Sequence, residues 1–365
     1  MSRNVLIAGA LGVVGRAMLR EFEQHEGWQV TGLARRGQPP DMDTCILALD
    51  LRDADACQRV IEQAGAFTHL LYCANYEKPN LVRGWLDLDH VEINAAMLRN
   101  LMEALLRTSP DLQHVTVLQG TKAYGAAAGF FKLPAKEDDP RYPAPNFYYA
   151  QEDYLRQRQK GTAWRWTALR PQFVCGFALE SPMNGLTAIG VYAAICRELE
   201  MPLRYPGGPL RVQEATDSRL LAKAAYWAAT TPACADQIFN IVNGDVFTWE
   251  SLWPKIAKVF DMEVAPPAPS RLKRVMAGKD AVWDRIVEKH GLKPYRLTQL
   301  VPNWEMADNL LGLGIEPRPL LLSGIKARRF GFHDCIDSED MFVEWLRYHQ
   351  SERILPEYRL REAAS

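Results

Sequence analysis

The stretch PNFYYAQEDYL (145–155) has a helical look and carries Tyr149, whose side chain shares one helix face with residue 153. A phenol held on a helix can donate a hydrogen bond to a substrate oxygen. It does so best with a cation at hand to favour charge on the phenol or the substrate oxygen. Residue 153 is Asp, an anion, so the cation has to come from elsewhere in the chain. Lys122, in the earlier segment HVTVLQGTKAYG (114–125), is the candidate. Tyr148 stands beside Tyr149 as the alternative phenol, in which case Tyr149 packs. Phe147, Tyr148 and Met183 are of the type that walls an apolar substrate pocket.

A second constellation lies at the start. GALGVVG (9–15) follows an apolar run and opens a helical pattern, the context in which such glycines bind a dinucleotide. Gly9, Gly12 and Gly15 allow a tight turn, close approach to a pyrophosphate and close packing of helix on sheet. The N-terminus of that helix supplies free N–H groups and a positive dipole end to the phosphates. The plain alternative is a glycine-rich turn without a ligand. The next strand-like run ends in Arg35-Arg36, where an acidic residue would serve a ribose hydroxyl. Two guanidinium groups suit a 2′-phosphate, so the expected cofactor is NADPH/NADP+ rather than NAD. Asp50-Leu51 is expected to meet the adenine edge, with Asp50 as a helix cap the alternative.

Both constellations need a frame that brings loop ends together. Candidate strands are 4–9, 28–34, 45–50, 69–74, 114–120 and 166–171, and segments of helical period lie between them at 15–25, 54–64 and 90–107. Strands alternating with helices predict an α/β fold, a Rossmann-type doubly wound parallel sheet with a smaller C-terminal substrate lobe. The expected division is a cofactor domain over 1–175, with 210–247 returning to it. The lobe then takes 176–209 and 248–350, and 351–365 is a polar tail. A strand at 237–243 and a following helix with Trp249 and Trp253 fit that change of rhythm, and Trp283 and Trp304 read as packing residues.

Composition narrows the partners. The net charge of −1 and the lack of a basic stripe argue against nucleic acid or an acidic membrane. No run of 18 apolar residues is present, so no membrane span is expected, and the direct entry into a strand points to the cytoplasm. Seven scattered cysteines without a CxxC pair read as reduced thiols, with no metal site. His90, His114 and His290 lack partners at catalytic spacing, and Asn94 either holds backbone or water near the site or faces solvent.

The spacing of 9–15 resembles the extended short-chain dehydrogenase/reductase superfamily, whose members include NAD-dependent epimerases and dehydratases. GLARR (32–36), GTKAYG (120–125), NFYYAQEDYL (146–155), LRPQFVCGF (169–177), VYAAICRE (191–198) and FNIVNGDVFTW (239–249) together resemble the progesterone 5β-reductase/iridoid synthase-like (PRISE) enone reductases within it. That resemblance implies NADPH-dependent 1,4-reduction of activated C=C bonds, with Tyr149 and Lys122 as the catalytic pair. It also implies cofactor contacts from Leu11, Gly12, Val13 and Val14, from Ala74, Tyr149 and Val174, and from Ser181, Pro182 and Met183 closing over the nicotinamide. The chain departs from the family at Leu11 and at Ala74-Asn75, and LQGTK shifts the usual loop order. The expected substrate is a small apolar enone, and the exposed helices of such folds leave a homodimer open. A carbonyl reductase or epimerase on the same fold stands as an alternative. So does an NADPH-sensing protein without catalysis.

Overall fold

The β-branched runs assemble into one sheet in the computed structural model, which describes residues 3–40, 42–78, 84–126, 132–313 and 319–358. Its strands are β1 (Arg3–Ala8), β2 (Trp28–Ala34), β3 (Ile46–Ala48), β4 (His69–Tyr72), β5 (His114–Leu118), β6 (Arg165–Pro171) and β7 (Gln237–Ile241). They lie in the order β7-β6-β5-β4-β1-β2-β3, and every pairing is parallel. Val5 pairs with both Val30 and His69, and His69 pairs in turn with His114. Val5 through Ala8 are fully buried, as are Leu70 and Leu71, as expected of parallel strands covered on both faces.

Helices α1 (Val13–Glu23), α2 (Ala54–Ala64), α3 (Leu88–Thr108), α4 (Phe147–Arg158), α5 (Gly185–Glu198) and α6 (Ser218–Thr230) follow in chain order. Of these, α1 packs with α6, while α2, α3 and α4 pack in a row. The order of strands reverses between β1 and β4, and the crevice at such a reversal is where ligands meet an open α/β sheet. The turn after β1, the segment after β4 and the loop after β5 all leave from this carboxyl edge.

The chain divides into two units. One comprises Met1–Val174, Ser218–Val242 and Leu320–Asp334; the other comprises Cys175–Asp217, Asn243–Pro319 and Cys335–Ser365. The first unit thus includes 320–334, which the sequence reading placed in the lobe, while 210–217 and 243–247 go to the second. The cause is non-local: Ala135 exchanges backbone bonds with Leu321 and Ser323 at 2.8 Å each, and Asn240 Nδ2 donates to the Ser323 carbonyl. The second unit holds α5 with α7 (Trp249–Val259), α8 (Asp280–His290) and α9 (Ser338–Ser351). Its core is aromatic, with Trp249 edge-on to Phe247, Trp253 and Phe342. The expected polar tail is not polar at its start. Ile354 and Leu355 are buried, and both amides bond to the His349 carbonyl; residues 359–365 lie outside the described residues.

Candidate active site

Asn146 joins the two segments that carry the proposed chemistry. As N-cap of α4 its Oδ1 accepts from the Tyr148 amide at 3.0 Å, and its Nδ2 donates to the Lys122 carbonyl at 2.7 Å. The turn Thr121–Tyr124 bearing Lys122 is thereby pinned to the helix start bearing both tyrosines. The Tyr149 hydroxyl donates to the Ala123 carbonyl at 2.7 Å and accepts from the Tyr142 amide at 2.9 Å. Burial raises its pKa above the ordinary phenol value, against the Tyr142 amide, Arg170 and Arg141. Tyr148 is more deeply buried, and its hydroxyl makes no hydrogen bond among the described residues. Burial, then the nearby Glu77 charge, pushes its phenol well above the ordinary range.

The acidic residues one turn on are accounted for. Asp153 is exposed and pairs with Arg141 at 2.8 Å, and Arg141 also covers the Tyr149 ring at 4.8 Å. Buried Glu152 binds Arg170 at 2.7 Å and Arg141 at 2.8 Å. Arg170 in turn donates to Gln119 Oε1 at 2.8 Å, and Gln119 Nε2 donates to the Tyr148 carbonyl at 3.4 Å. The anion at position 153 therefore ties the surface of α4 to Arg141.

Lys122 sits in a box. Its Nζ lies 4.6 Å from the Trp85 ring centre, 5.0 Å from Phe147 and 5.5 Å from Tyr148. Cation–π contacts of a desolvated ammonium contribute about 2 kcal/mol. The side chain is only 12% exposed, and Glu77 Oε1 lies 3.5 Å away. Burial lowers the Lys122 pKa and Glu77 opposes that shift. An open depression is lined by Lys122, Tyr149, Phe147 and Trp85, with Tyr142 and Asn146 at its side. Phe147, Lys122 and Tyr149 therefore share one cavity wall; Tyr148 backs Lys122 from behind that lining. Met183 belongs to the second unit, where Ser181, Pro182 and Met183 form the turn into α5. Val174 ends the first segment of the first unit.

At the other end of the edge, Gly9 has φ 82°, and a Cβ there would stand 2.8 Å from the Ala74 amide nitrogen. A Cβ on Gly15 would stand 2.2 Å from the Gly9 carbonyl oxygen. Only glycine lets these three backbones meet. Gly12 is the N-cap of α1, with no side chain to satisfy the first-turn amides, which leaves donors for an anion. Leu11 and Val13 are buried, and Val14 is half-buried. This cradle fits a dinucleotide pyrophosphate. Arg35 and Arg36 are exposed just past β2. Asp50 does not cap α2, because Asp53 does, accepting from the Ala56 amide at 2.9 Å. The Asp50 carboxylate instead takes Arg52 in a forked pair, and that hydrogen-bonded partner holds its pKa below the ordinary value. Leu51 is buried.

The chain matches the family model of a PRISE-like Rossmann-fold domain over residues 67–300. It belongs to that family. The (S)-8-oxocitronellyl enol synthase of Antirrhinum majus is 31% identical over 374 residues, covering 96% of this chain and 92% of the relative. The 3-oxo-Delta(4,5)-steroid 5-beta-reductase of Arabidopsis thaliana is 30% identical over 370 residues, with the same coverage of 96% and 92%. Among solved structures, UDP-glucose 4-epimerase of Thermotoga maritima superposes with a TM-score of 0.68 at 16% identity, over 95% of this chain and 99% of that one. The Thermus thermophilus UDP-glucose 4-epimerase, solved with NAD, gives 0.64 at 18% identity, covering 94% and 99%. These likenesses are of fold.

Within this PRISE member, sequence spacing did not reveal Glu77, Trp85 or the closeness of His90. Glu77 and Trp85 lie on the stretch between β4 and α3, and His90 lies in the first turn of α3. The available signal was position: β4 lies between β1 and β5, so a charged residue just past it faces both loops. Asn94 faces inward, fully buried, and holds backbone. Among the described residues, no group of His, Cys, Asp and Glu could hold a metal, and no helix is long and apolar enough to cross a membrane.

Proposed function

We propose that this protein reduces the activated C=C bond of a small apolar α,β-unsaturated ketone or aldehyde, with NADPH as reductant. The observation that carries the reading is the shared cavity wall of Lys122 and Tyr149 in a chain of the PRISE family. Relatives named as a steroid 5-beta-reductase and an enol synthase support an enone substrate. Gly9, Gly12 and Gly15, with the head of α1, would hold the pyrophosphate, and Arg35 and Arg36 the 2′-phosphate. Bound there, the reduced nicotinamide supplies a hydride to the β-carbon of the substrate.

The chain's own part is electrostatic. Negative charge develops on the substrate carbonyl oxygen as the enolate forms, and a preorganised donor stabilises it. Tyr149 reaches that oxygen by giving up its bond to the Ala123 carbonyl, while the Asn146 clasp keeps Lys122 in place. Lys122 adds positive charge in a largely dry wall, where such a group is worth far more than in water. The α-carbon then takes a proton from solvent, completing the saturated ketone or aldehyde.

The test is NADPH oxidation with 2-cyclohexen-1-one, with products identified, for wild type, Tyr149→Phe and Tyr148→Phe. Saturated ketone from wild type and a loss of about a hundredfold or more in kcat for Tyr149→Phe, with NADPH binding retained, is the expected result. Tyr148→Phe should retain most turnover. The opposite ranking would move the donor role to Tyr148. Allylic alcohol as product would make the enzyme a carbonyl reductase.

A further inference from the structure

A lysine with little solvent exposure tends to shed its proton. The ring faces around Lys122 offset part of that cost, and an anion facing the ammonium offsets more. Here that anion is Glu77, whose side chain is only 7% exposed. Its Oε2 accepts from Trp85 Nε1 at 2.8 Å, its Oε1 from Asn75 Nδ2, and His90 Nε2 lies 3.5 Å from Oε2. Trp85 thus serves twice, as one wall of the Lys122 box and as a clamp on the carboxylate.

The segment carrying Glu77 is fixed from α3. Asn94 Oδ1 accepts from the Tyr76 amide at 2.8 Å, and its Nδ2 donates to the carbonyls of Tyr76 and His90 at 3.0 Å each. One buried amide therefore sets the residue preceding Glu77 and also holds the backbone of the histidine beside it. At 3.5 Å the Lys122–Glu77 pair is longer than the 2.7–2.9 Å usual for a charge-assisted hydrogen bond. The ammonium is attracted without being clamped, and stays available to an oxygen in the cavity.

We propose that Glu77 is a positioning residue for Lys122: it keeps the ammonium charged and seated in the aromatic wall of the cavity, and Asn94 fixes where that carboxylate stands. This rests on the role of Lys122 given above. The titratable groups around the lysine are Glu77 after β4, His90 on α3, Tyr142 ahead of α4, Tyr148 and Tyr149 on α4, and Arg170 on β6. Glu77 is the anion among them at neutral pH. Burial raises its carboxyl, but Lys122, His90 and Trp85 outweigh this and hold it below the ordinary value. Removing that charge lets burial lower the lysine further, so the ammonium is lost at a lower pH.

The experiment follows the ¹³Cε resonance of Lys122 with pH in labelled full-length protein, assigned by its absence in Lys122→Met, for wild type and Glu77→Gln. An opposite charge at this range shifts a pKa by about one to three units, so the midpoint should fall by about one unit or more in Glu77→Gln. The alkaline limb of kcat should move in the same direction, and Glu77→Asp should restore part of it. In wild type, the ¹³Cδ resonance of Glu77 should step at the Lys122 midpoint, a reading that needs no variant to fold. An unmoved Lys122 midpoint in folded Glu77→Gln, or no step at Glu77 in wild type, overturns the proposal. Absence of enone turnover in wild type would count against the function above and leave these titrations readable.

Discussion

The two ends of the same carboxyl edge are built by opposite means. The turn after β1 is made of backbone: at Gly9 and Gly15 an added Cβ would run into backbone atoms. The wall after β5 is made of side chains drawn from the stretch between β4 and α3, from α3 itself, from the Lys122 turn and from the head of α4. The first should fail on adding one methyl group. The second should tolerate one and respond instead to removal of a charge or an amide. The segment after β4 belongs to both, since Ala74 abuts Gly9 and Glu77 faces Lys122.

The largest effect is expected at the backbone end. Gly15→Ala puts a Cβ 2.2 Å from the Gly9 oxygen and 2.7 Å from the Ala10 Cα, backbone contacts that no rotamer relieves. NADPH affinity, followed by fluorescence titration, should fall at least about a hundredfold, or roughly 2.7 kcal/mol. The matching change at the other end is Gly120→Ala, where the backbone is extended and the nearest atom is the Pro171 oxygen at 3.6 Å. That variant should bind NADPH within about twofold of wild type. Equal losses in the two would erase the contrast.

A middle-sized effect belongs to Asn94. Asn94→Ala leaves the Tyr76 amide and carbonyl without their side-chain partner, at about 1–3 kcal/mol for each buried group left unpaired. Because the loosened segment carries Glu77, kcat should fall by about tenfold or more while NADPH affinity stays near wild type. A variant that lost cofactor binding and kcat together would mean that Asn94 supports the whole edge rather than its Lys122 end.

The same contrast explains what the sequence made legible. Strand and helix positions were readable because parallel strands need continuous apolar runs, and α2 begins and ends where periodicity placed it, at Ala54 and Ala64. The glycine turn was readable because its constraint is local. Lys122 and the tyrosines were readable through motif resemblance, whereas Glu77, Trp85 and His90 were not, since nothing in their spacing signals that they converge. Of the two readings of Asp50, the helix cap is taken by Asp53 three residues on, and Arg52 pairs with the Asp50 carboxylate. Residues 320–334 were assigned to the wrong unit because their attachment runs through backbone bonds to Ala135, which carry no hydrophobic period.

The smallest effect is expected where the edge meets solvent, at the end of β2. Arg35 and Arg36 are exposed, and the Asp50 carboxylate beyond β3 is already paired with Arg52 at 2.6 Å. Charge-assisted bonds to a phosphate are worth about 1.5–3 kcal/mol each, but salt and hydration weaken exposed ones toward the low end. Replacing both arginines with Ser should therefore lower the preference for NADPH over NADH, read as the ratio of kcat/KM, by about tenfold, mostly through KM. The loss should shrink as ionic strength rises, because a solvent-facing charge contact is screened. The Gly15→Ala defect should not, because a steric clash has no salt dependence. An arginine-pair variant that kept its preference for NADPH at every salt concentration would place 2′-phosphate recognition in residues other than these. Comparing the salt dependence of the two variants thus separates the charged rim from the backbone cradle on a single strand edge.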